Sequence, residues 1–248
     1  MNNLYLERYT TNDVEMDVNE KLSITEILKL MQRATFSHSH LIGLDHQSMV
    51  DRDSAFWVIT KMKIVCFHPI GANKKLTLRT WTRKPQSVRF LRDLQIKDKN
   101  KILIKGISEW CCLDLSSRTL RRSNSIKYPD LEMVETKDNN ISFDNLKVDV
   151  NENNFVYTRT ILPTDIDVNL HTNNLKYTNF ALDALSFDEL KSKNIKEYEI
   201  YFVNETKLGD KINVYKKKIK DILYIEGKKY EQTIFKVIIK FAKKKKTI

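Results

Sequence analysis

The sequence lacks any apolar run approaching the roughly 20 residues that a bilayer-spanning helix needs, so no membrane span is expected. Its first residues form neither an apolar signal core nor an Arg-rich amphipathic transit segment, which favours a cytoplasmic protein. Cysteine is scarce: Cys66, Cys111 and Cys112 are odd in number and show no disulfide-framework or zinc-site spacing. We therefore expect a reducing compartment, with no metal and no cofactor.

Glycine and proline are also scarce, at 5 and 4 of 248 residues, while lysine, asparagine and isoleucine are used heavily. The formal net charge of +11 indicates either this compositional bias or an acidic macromolecular partner attracted over long range. No helix-turn-helix or other nucleic-acid recognition pattern is evident, so no nucleic-acid partner is expected. The hydrophobic share of 41% suffices for a core in one large domain or two. The run Lys243-Lys244-Lys245-Lys246 is interpreted as a solvated tail.

The strongest functional pattern begins at Asp165. Asp165, Asp167, Asn169 and His171 lie at every second position, which predicts extended backbone with all four polar side chains on one side. Two asparagines, at positions 173 and 174, then precede a helical pattern and are favoured capping residues. Carboxylate, amide and imidazole groups beside helix-terminal N–H groups are the ingredients of a hydrolytic site. These residue types are also common in turns and caps, so a purely structural role is the alternative interpretation.

Two segments of the chain resemble each other at an offset of 150 positions. The tripeptide Asp-Val-Asn occurs at 17–19 and again at 167–169, and the apolar helix positions recur in the same register. Those positions are Ile27, Leu30, Met31 and Ala34 in the first copy, and Tyr177, Phe180, Ala181 and Ala184 in the second. Their spacing predicts one buried helix in each copy. We infer a duplicated supersecondary unit. Lys21 stands at the position of His171, so only the second copy has the imidazole.

Strand-like segments, rich in β-branched and aromatic residues, surround each predicted helix. They lie near residues 4–8 and at 55–67, 75–82, 88–96 and 102–115 in the first half, and at 198–204, 212–219, 222–226 and 233–241 in the second. A helix followed by antiparallel-type strands predicts an α+β domain whose helix covers the sheet. We predict an N-terminal domain at residues 1–128, a polar linker at 129–152 and a C-terminal domain at 153–248.

Residues 167–177, Asp-Val-Asn-Leu-His-Thr-Asn-Asn-Leu-Lys-Tyr, resemble the D-x-N-x-H-x-N-N-x-x-Y signature of the acyl-ACP thioesterases. The resemblance implies two tandem hot-dog domains, each a long helix wrapped by an antiparallel β-sheet. It also implies hydrolysis of fatty acyl chains from acyl carrier protein. The resemblance extends over nearly the whole chain, including the Trp57 strand and the Ser108-Glu109-Trp110 strand. Because no plastid transit peptide is evident, the chain resembles the bacterial branch.

The same resemblance implies the catalytic residues. Asp167, Asn169 and His171 match the family's catalytic motif, and Glu205 matches a further family acid at a strand end. Plant members have Cys directly after that Glu, whereas this chain has Thr206, so a Cys nucleophile is not expected. The implied chemistry is attack of water on the thioester carbonyl. Glu205 or Asp167 would be the base, or Asp167 would attack directly.

Substrate and partner contacts follow from the resemblance as well. We expect Asn173, Asn174, Thr206 and Trp57 to bind substrate, with backbone N–H groups near the two asparagines receiving the oxyanion. The expected partner is acyl carrier protein with its fatty acyl phosphopantetheine, steered by basic residues. The candidates for docking are Arg79, Arg83, Lys84, Arg89 and Arg92.

The first domain would bind the acyl chain and the second would be catalytic, in a monomer or homodimer.

Three alternatives stay open. They are an acyl-CoA thioesterase of the hot-dog type, a non-catalytic acyl-binding regulator, and a dehydratase on the same scaffold.

Overall fold

The computed structural model describes residues 2–132, 134, 139–145 and 148–242. The chain divides into two compact units, Met1–Ser142 and Phe143–Ile248, so the division falls inside the predicted linker. Parts of that linker, including Glu135 and Asp138, and the run of lysines at 243–246 lie outside the described residues. Within the described ranges, no helix is both long enough and apolar enough to cross a membrane.

The first unit contains a long helix, a short helix and an antiparallel sheet. In chain order its helices and strands are β1 (Tyr5–Thr10), α1 (Ile24–Leu41), α2 (His46–Asp53), β2 (Ala55–Cys66), β3 (Lys75–Thr82), β4 (Phe90–Asp98), β5 (Lys101–Asp114) and β6 (Leu120–Arg121). The sheet order is β1-β3-β4-β5-β2, with β6 paired to β5. Helix α1 begins where the Ser23 hydroxyl accepts a hydrogen bond of 3.3 Å from the N–H of Glu26.

Helix α1 packs its predicted apolar stripe into the core of the first unit, where all four residues are buried. Met31 of this stripe lies close to Gly106 on β5. A Cβ atom at Gly106 would meet Met31 Cε at 2.6 Å, so a larger residue here would force the flexible end of the Met31 side chain to shift.

The second unit repeats this order of elements. They are β7 (Phe155–Thr160), α3 (Asn174–Leu182), α4 (Phe187–Ser192), β8 (Ile195–Phe202), β9 (Lys211–Ile219), β10 (Ile222–Lys229) and β11 (Gln232–Phe241). The sheet order is β8-β11-β10-β9-β7, and the paired strands are antiparallel. Strand β7 lies 150 positions after β1. The strand patterns of the second half do not predict β7, but adding the repeat offset of 150 to β1 gives its position.

The apolar stripe of the second copy is buried as predicted, but its helix is shorter than expected. Helix α3 has 9 residues, whereas α1 has 18, so the expectation of a long helix in this unit is wrong. The reason is a new start signal at Ser186. Its hydroxyl accepts the N–H of Glu189 at 3.1 Å while the Glu189 carboxylate accepts the N–H of Ser186 at 3.1 Å. This capping box starts a new helix, α4, where the first unit continues its long helix.

Candidate active site

A tight turn at residues 167–171 precedes α3. Ile166 and Thr172 form an antiparallel bridge around it, and the N–H of Asp167 donates to the carbonyl of His171 at 2.9 Å. Asp167 Oδ1 accepts the N–H of Asn169 at 2.9 Å, and Leu170 has a left-handed φ of 62°. The predicted extended segment is therefore wrong. Local hydrogen bonding by the Asp167 carboxylate favours a reversal of the chain here.

Asp165 has a different environment from the other polar residues of this segment. It ends a short 3-10 turn and is buried. Its Oδ2 accepts hydrogen bonds from Arg159 Nη2 at 2.9 Å and from the N–H of Leu162 at 3.0 Å, and Lys176 Nζ lies 3.5 Å from Oδ1. Burial by itself raises the pKa of this carboxyl, but the Leu162 N–H and the Arg159 guanidinium outweigh it and lower the pKa. Asp165 thus anchors the start of the turn as an anion.

His171 and Glu205 come together from separate parts of the unit. His171 ends the turn, and Glu205 lies in the loop after β8. His171 Nε2 lies 3.4 Å from Glu205 Oε2, and their side chains are 24% and 49% exposed. An imidazole and a carboxylate that touch each other and still reach solvent can exchange protons with a bound ligand. Asp167 and Asn169 share the turn that ends at this imidazole.

Thr206, the residue after Glu205, is fully buried. Its Oγ1 lies 2.8 Å from Thr172 Oγ1 and 2.9 Å from Tyr177 Oη. Its carbonyl accepts the N–H of Thr172 at 2.9 Å, and its own N–H donates to Tyr177 Oη at 3.2 Å. A side chain enclosed in this way does not support the predicted contact between Thr206 and substrate. The sequence placed Tyr177 in the apolar stripe and in the family signature without a role for its hydroxyl, and it gave no indication of Thr172.

Asn173 is the N-cap of α3, as predicted. Its Oδ1 accepts the N–H of Leu175 at 3.0 Å, and its own N–H donates to the carbonyl of Asp165 at 2.8 Å. This N–H is committed to Asp165, so the expectation that it receives an oxyanion is wrong. Asn174 is the first residue of α3, where backbone N–H groups lack intrahelical partners, and it stays a candidate donor.

The remaining predicted residues lie in the first unit. The Trp57 indole donates to the carbonyl of Leu44 at 2.8 Å, and its ring packs edge-on against Phe90 at 4.8 Å between centroids. Its contact with substrate stays a prediction. In the described part of the chain, no cluster of three or more His, Cys, Asp or Glu residues could hold a metal ion.

The basic residues proposed for docking are largely engaged within the first unit. Arg83 Nε pairs with Asp93 at 2.7 Å, and Arg89 pairs with Glu109. Arg92 is buried, so the expectation that it docks a partner is wrong.

Two family models match the chain: the acyl-ACP thioesterase N-terminal domain at residues 2–125 and the acyl-ACP thioesterase C-terminal domain at residues 151–245. Acyl-(acyl-carrier-protein) hydrolase FATB1 of Cuphea viscosissima is 21% identical over 214 residues, covering 79% of this chain and 50% of that protein. Oleoyl-acyl carrier protein thioesterase 2 of Arabidopsis thaliana is 20% identical over 224 residues, covering 83% and 60%. The chain therefore spans about half to three fifths of the length of these relatives.

Solved structures of similar proteins agree with the fold. An acyl-ACP thioesterase from Bacteroides thetaiotaomicron superposes with a TM-score of 0.84 at 20% identity, covering 97% of this chain and 98% of that one. The 12:0-ACP thioesterase from Umbellularia californica gives 0.83 at 16% identity, covering 98% of each chain. These likenesses confirm the predicted α+β architecture of hot-dog type.

Proposed function

Because this chain belongs to the acyl-ACP thioesterase family, we propose that it hydrolyses the thioester of fatty acyl-acyl carrier protein. The products are free fatty acid and holo-acyl carrier protein, and the reaction ends chain elongation in fatty acid biosynthesis. The observation that supports this most directly is the 3.4 Å contact between His171 Nε2 and Glu205 Oε2. Both residues match the family's catalytic positions, although the turn and the loop that hold them are far apart in sequence.

In the proposed reaction, Glu205 orients a water molecule and takes its proton as the water oxygen attacks the thioester carbonyl. His171 donates a proton to the departing thiolate, and the proton that Glu205 took from the water passes to His171 across their contact, which restores both groups. A positioned acid or base typically contributes roughly 10²- to 10⁴-fold to the rate. The Glu205 carboxylate lies against the imidazole and is half exposed, so it can contact both water and substrate, as a general base must.

Asp167 and Asn169 have supporting roles in this proposal. One oxygen of Asp167 already accepts the N–H of Asn169, which favours Glu205 over Asp167 as the base. The exposed Asn169 amide would hold the substrate carbonyl. The N–H of Asn174 would stabilise the oxyanion, an interaction worth roughly 3 kcal/mol for a well-placed donor.

The two units have different tasks in this proposal. The second unit is catalytic, and the first, with Lys21 in place of the histidine, binds the acyl chain. The cytoplasm suits the protein because its three cysteines are all free thiols. Acyl carrier protein bearing the acyl phosphopantetheine is the partner, and the enzyme acts as a monomer or homodimer.

The test is thiol release from a panel of acyl-acyl carrier protein and acyl-CoA thioesters. We expect His171→Ala and Glu205→Gln to lower kcat by roughly 10²-fold or more, as for loss of a positioned acid or base. Lys21→Ala changes the matching position of the first unit and is the control, with activity retained. Faster turnover of the CoA esters would establish an acyl-CoA thioesterase instead. Acyl binding without hydrolysis of either series would overturn the proposal in favour of a regulator.

A further inference from the structure

Two buried hydroxyl groups directly follow the two reacting side chains in sequence, and a third lies on α3. Thr172 follows His171, Thr206 follows Glu205, and Tyr177 lies on the first turn of α3. Their exposed fractions are 4%, 0% and 2%, so each hydroxyl depends on protein partners for its hydrogen bonds.

The distances among these groups allow an order of donation that satisfies every one of them. The N–H of Thr206 donates to Tyr177 Oη at 3.2 Å, and the phenol donates to Thr206 Oγ1 at 2.9 Å. Thr206 Oγ1 then donates to Thr172 Oγ1 at 2.8 Å, and Thr172 Oγ1 donates to the carbonyl of Thr206 at 3.2 Å. Burial also raises the pKa of Tyr177, which keeps its phenol protonated as a donor.

The first unit builds the same turn without hydroxyl groups. The N–H of Leu22 donates to the carbonyl of Ile70 at 2.7 Å, as the N–H of Thr172 donates to the carbonyl of Thr206. Ile27 stands at the position of Tyr177, and all three first-unit residues are buried aliphatic side chains. The turn therefore forms in the first unit without the three hydroxyls, which occur only in the unit that has the histidine and the glutamate.

We propose that Thr172, Thr206 and Tyr177 are positioning residues whose linked hydroxyls hold Glu205 at its contact distance from His171. The inference rests on the proposed thioesterase function. Glu205 is half exposed, so support from the backbone beside it helps to fix its position. Thr206, the next residue, is hydrogen-bonded to Thr172 and Tyr177 and supplies this support. A reacting group generally needs such support from its neighbours.

The experiment compares Thr206→Val, Tyr177→Phe and Thr172→Val with the conservative Thr206→Ser. Misplacement of a reacting group by about 1 Å typically costs roughly 10²-fold, so we expect kcat to fall 10- to 100-fold with KM nearly unchanged. Thr206→Ser keeps the hydroxyl and should restore most of the rate. Wild-type kcat in all three hydroxyl-deleting variants would overturn the proposal.

A double variant separates positioning from general loss of structure. If the hydroxyls act through Glu205, adding Thr206→Val to Glu205→Gln lowers the residual rate no further, because coupled residues are non-additive. An equal fold-loss in both backgrounds would show a merely structural role and overturn the inference.

Amide hydrogen exchange supplies a readout that does not need activity. Tyr177→Phe removes the acceptor of the Thr206 N–H, so this amide should exchange faster than in wild type while amides of the β10–β11 pair do not change. If wild type hydrolyses no thioester, the proposed function fails, but this exchange result still tests the hydroxyl chain. An unchanged rate at Thr206 would refute the chain itself.

Discussion

Arg92 Nη1 donates a hydrogen bond of 2.6 Å to His38 Nδ1, and both side chains are buried in the first unit. Arg92 Nη2 also donates to Ser39 Oγ at 3.2 Å, near the C-terminal end of α1, where the helix dipole favours a cation. Burial and the charge of Arg92 lower the pKa of His38 to about 4. The pair is therefore a neutral imidazole accepting from a buried guanidinium.

The first prediction concerns the acid side of the stability profile. The unfolded state binds a proton at His38 below its ordinary pKa of about 6.5, whereas the folded state does so only near 4. The free energy of unfolding should fall by up to about 1.4 kcal/mol per pH unit between these values through this residue. His38→Gln keeps an acceptor for Arg92 and does not titrate, so urea unfolding from pH 7 to 4 should give a flatter profile. Equal slopes for the two proteins would contradict this account.

A second prediction concerns Asp165. Its lowered pKa means that the carboxylate stabilises the folded state above the ordinary Asp pKa of about 3.9, and that this stability is lost as the pH falls below it. Asp165→Asn should cost roughly 1–3 kcal/mol at pH 7, because Arg159 loses its anionic partner. The difference from wild type should shrink below about pH 3.9 in a thermal unfolding series. If the stability difference between Asp165→Asn and wild type persists at low pH, side-chain packing and not the carboxylate charge is its cause.

The third prediction is insensitivity to thiol reagents. Burial raises the pKa of Cys66 to about 12 and that of Cys112 to about 11, and it also raises the pKa of Cys111. Because the thiolate is the reactive form, iodoacetamide at pH 7 should leave the proposed thioester hydrolysis unchanged in the native protein. Alkylation of all three cysteines in urea, followed by mass spectrometry, is the control for reagent activity. Rapid loss of activity without urea would implicate a cysteine.

A fourth prediction concerns Leu170, the left-handed residue of the turn at residues 167–171. Leu170 has a φ of 62° and is 75% exposed, so it has a strained backbone with little packing to compensate. Leu170→Gly should raise the free energy of unfolding or leave it unchanged, with a gain of at most about 1 kcal/mol. Glu20 occupies the matching position at a φ of 58°, and Glu20→Gly provides the comparison. A clear loss of stability only at Leu170 would show that its side chain makes contacts that matter for folding.

The repeat and the strand patterns predicted most of the fold because they depend on periodicity. The stripe from Ile27 to Ala34 is buried, and β3 runs from Lys75 to Thr82 as expected. The errors arose where a single side chain changes the backbone. Asp167 accepts the N–H of Asn169 and reverses a segment that alternation predicted as extended.

The candidate site was predictable in composition but not in arrangement. The motif indicated His171, and the wider family resemblance indicated Glu205. The N–H of Asn173 is hydrogen-bonded to Asp165, which the sequence does not reveal, so it cannot receive the oxyanion. No periodic pattern connects Thr172 to Thr206, which are 34 positions apart. Contacts of that kind depend on how the loop after β8 returns to the helix.

The turns that precede α1 and α3 bear on how such a chain can evolve. The same backbone hydrogen bonds form around Asp17 and Asp167, although one copy ends in Lys21 and the other in His171. The turn therefore forms with either a lysine or a histidine at its last position. After a gene duplication, one copy could lose its chemistry by point substitution without any penalty in assembly. The other copy would then carry the turnover alone, while its sister could diverge toward a new ligand.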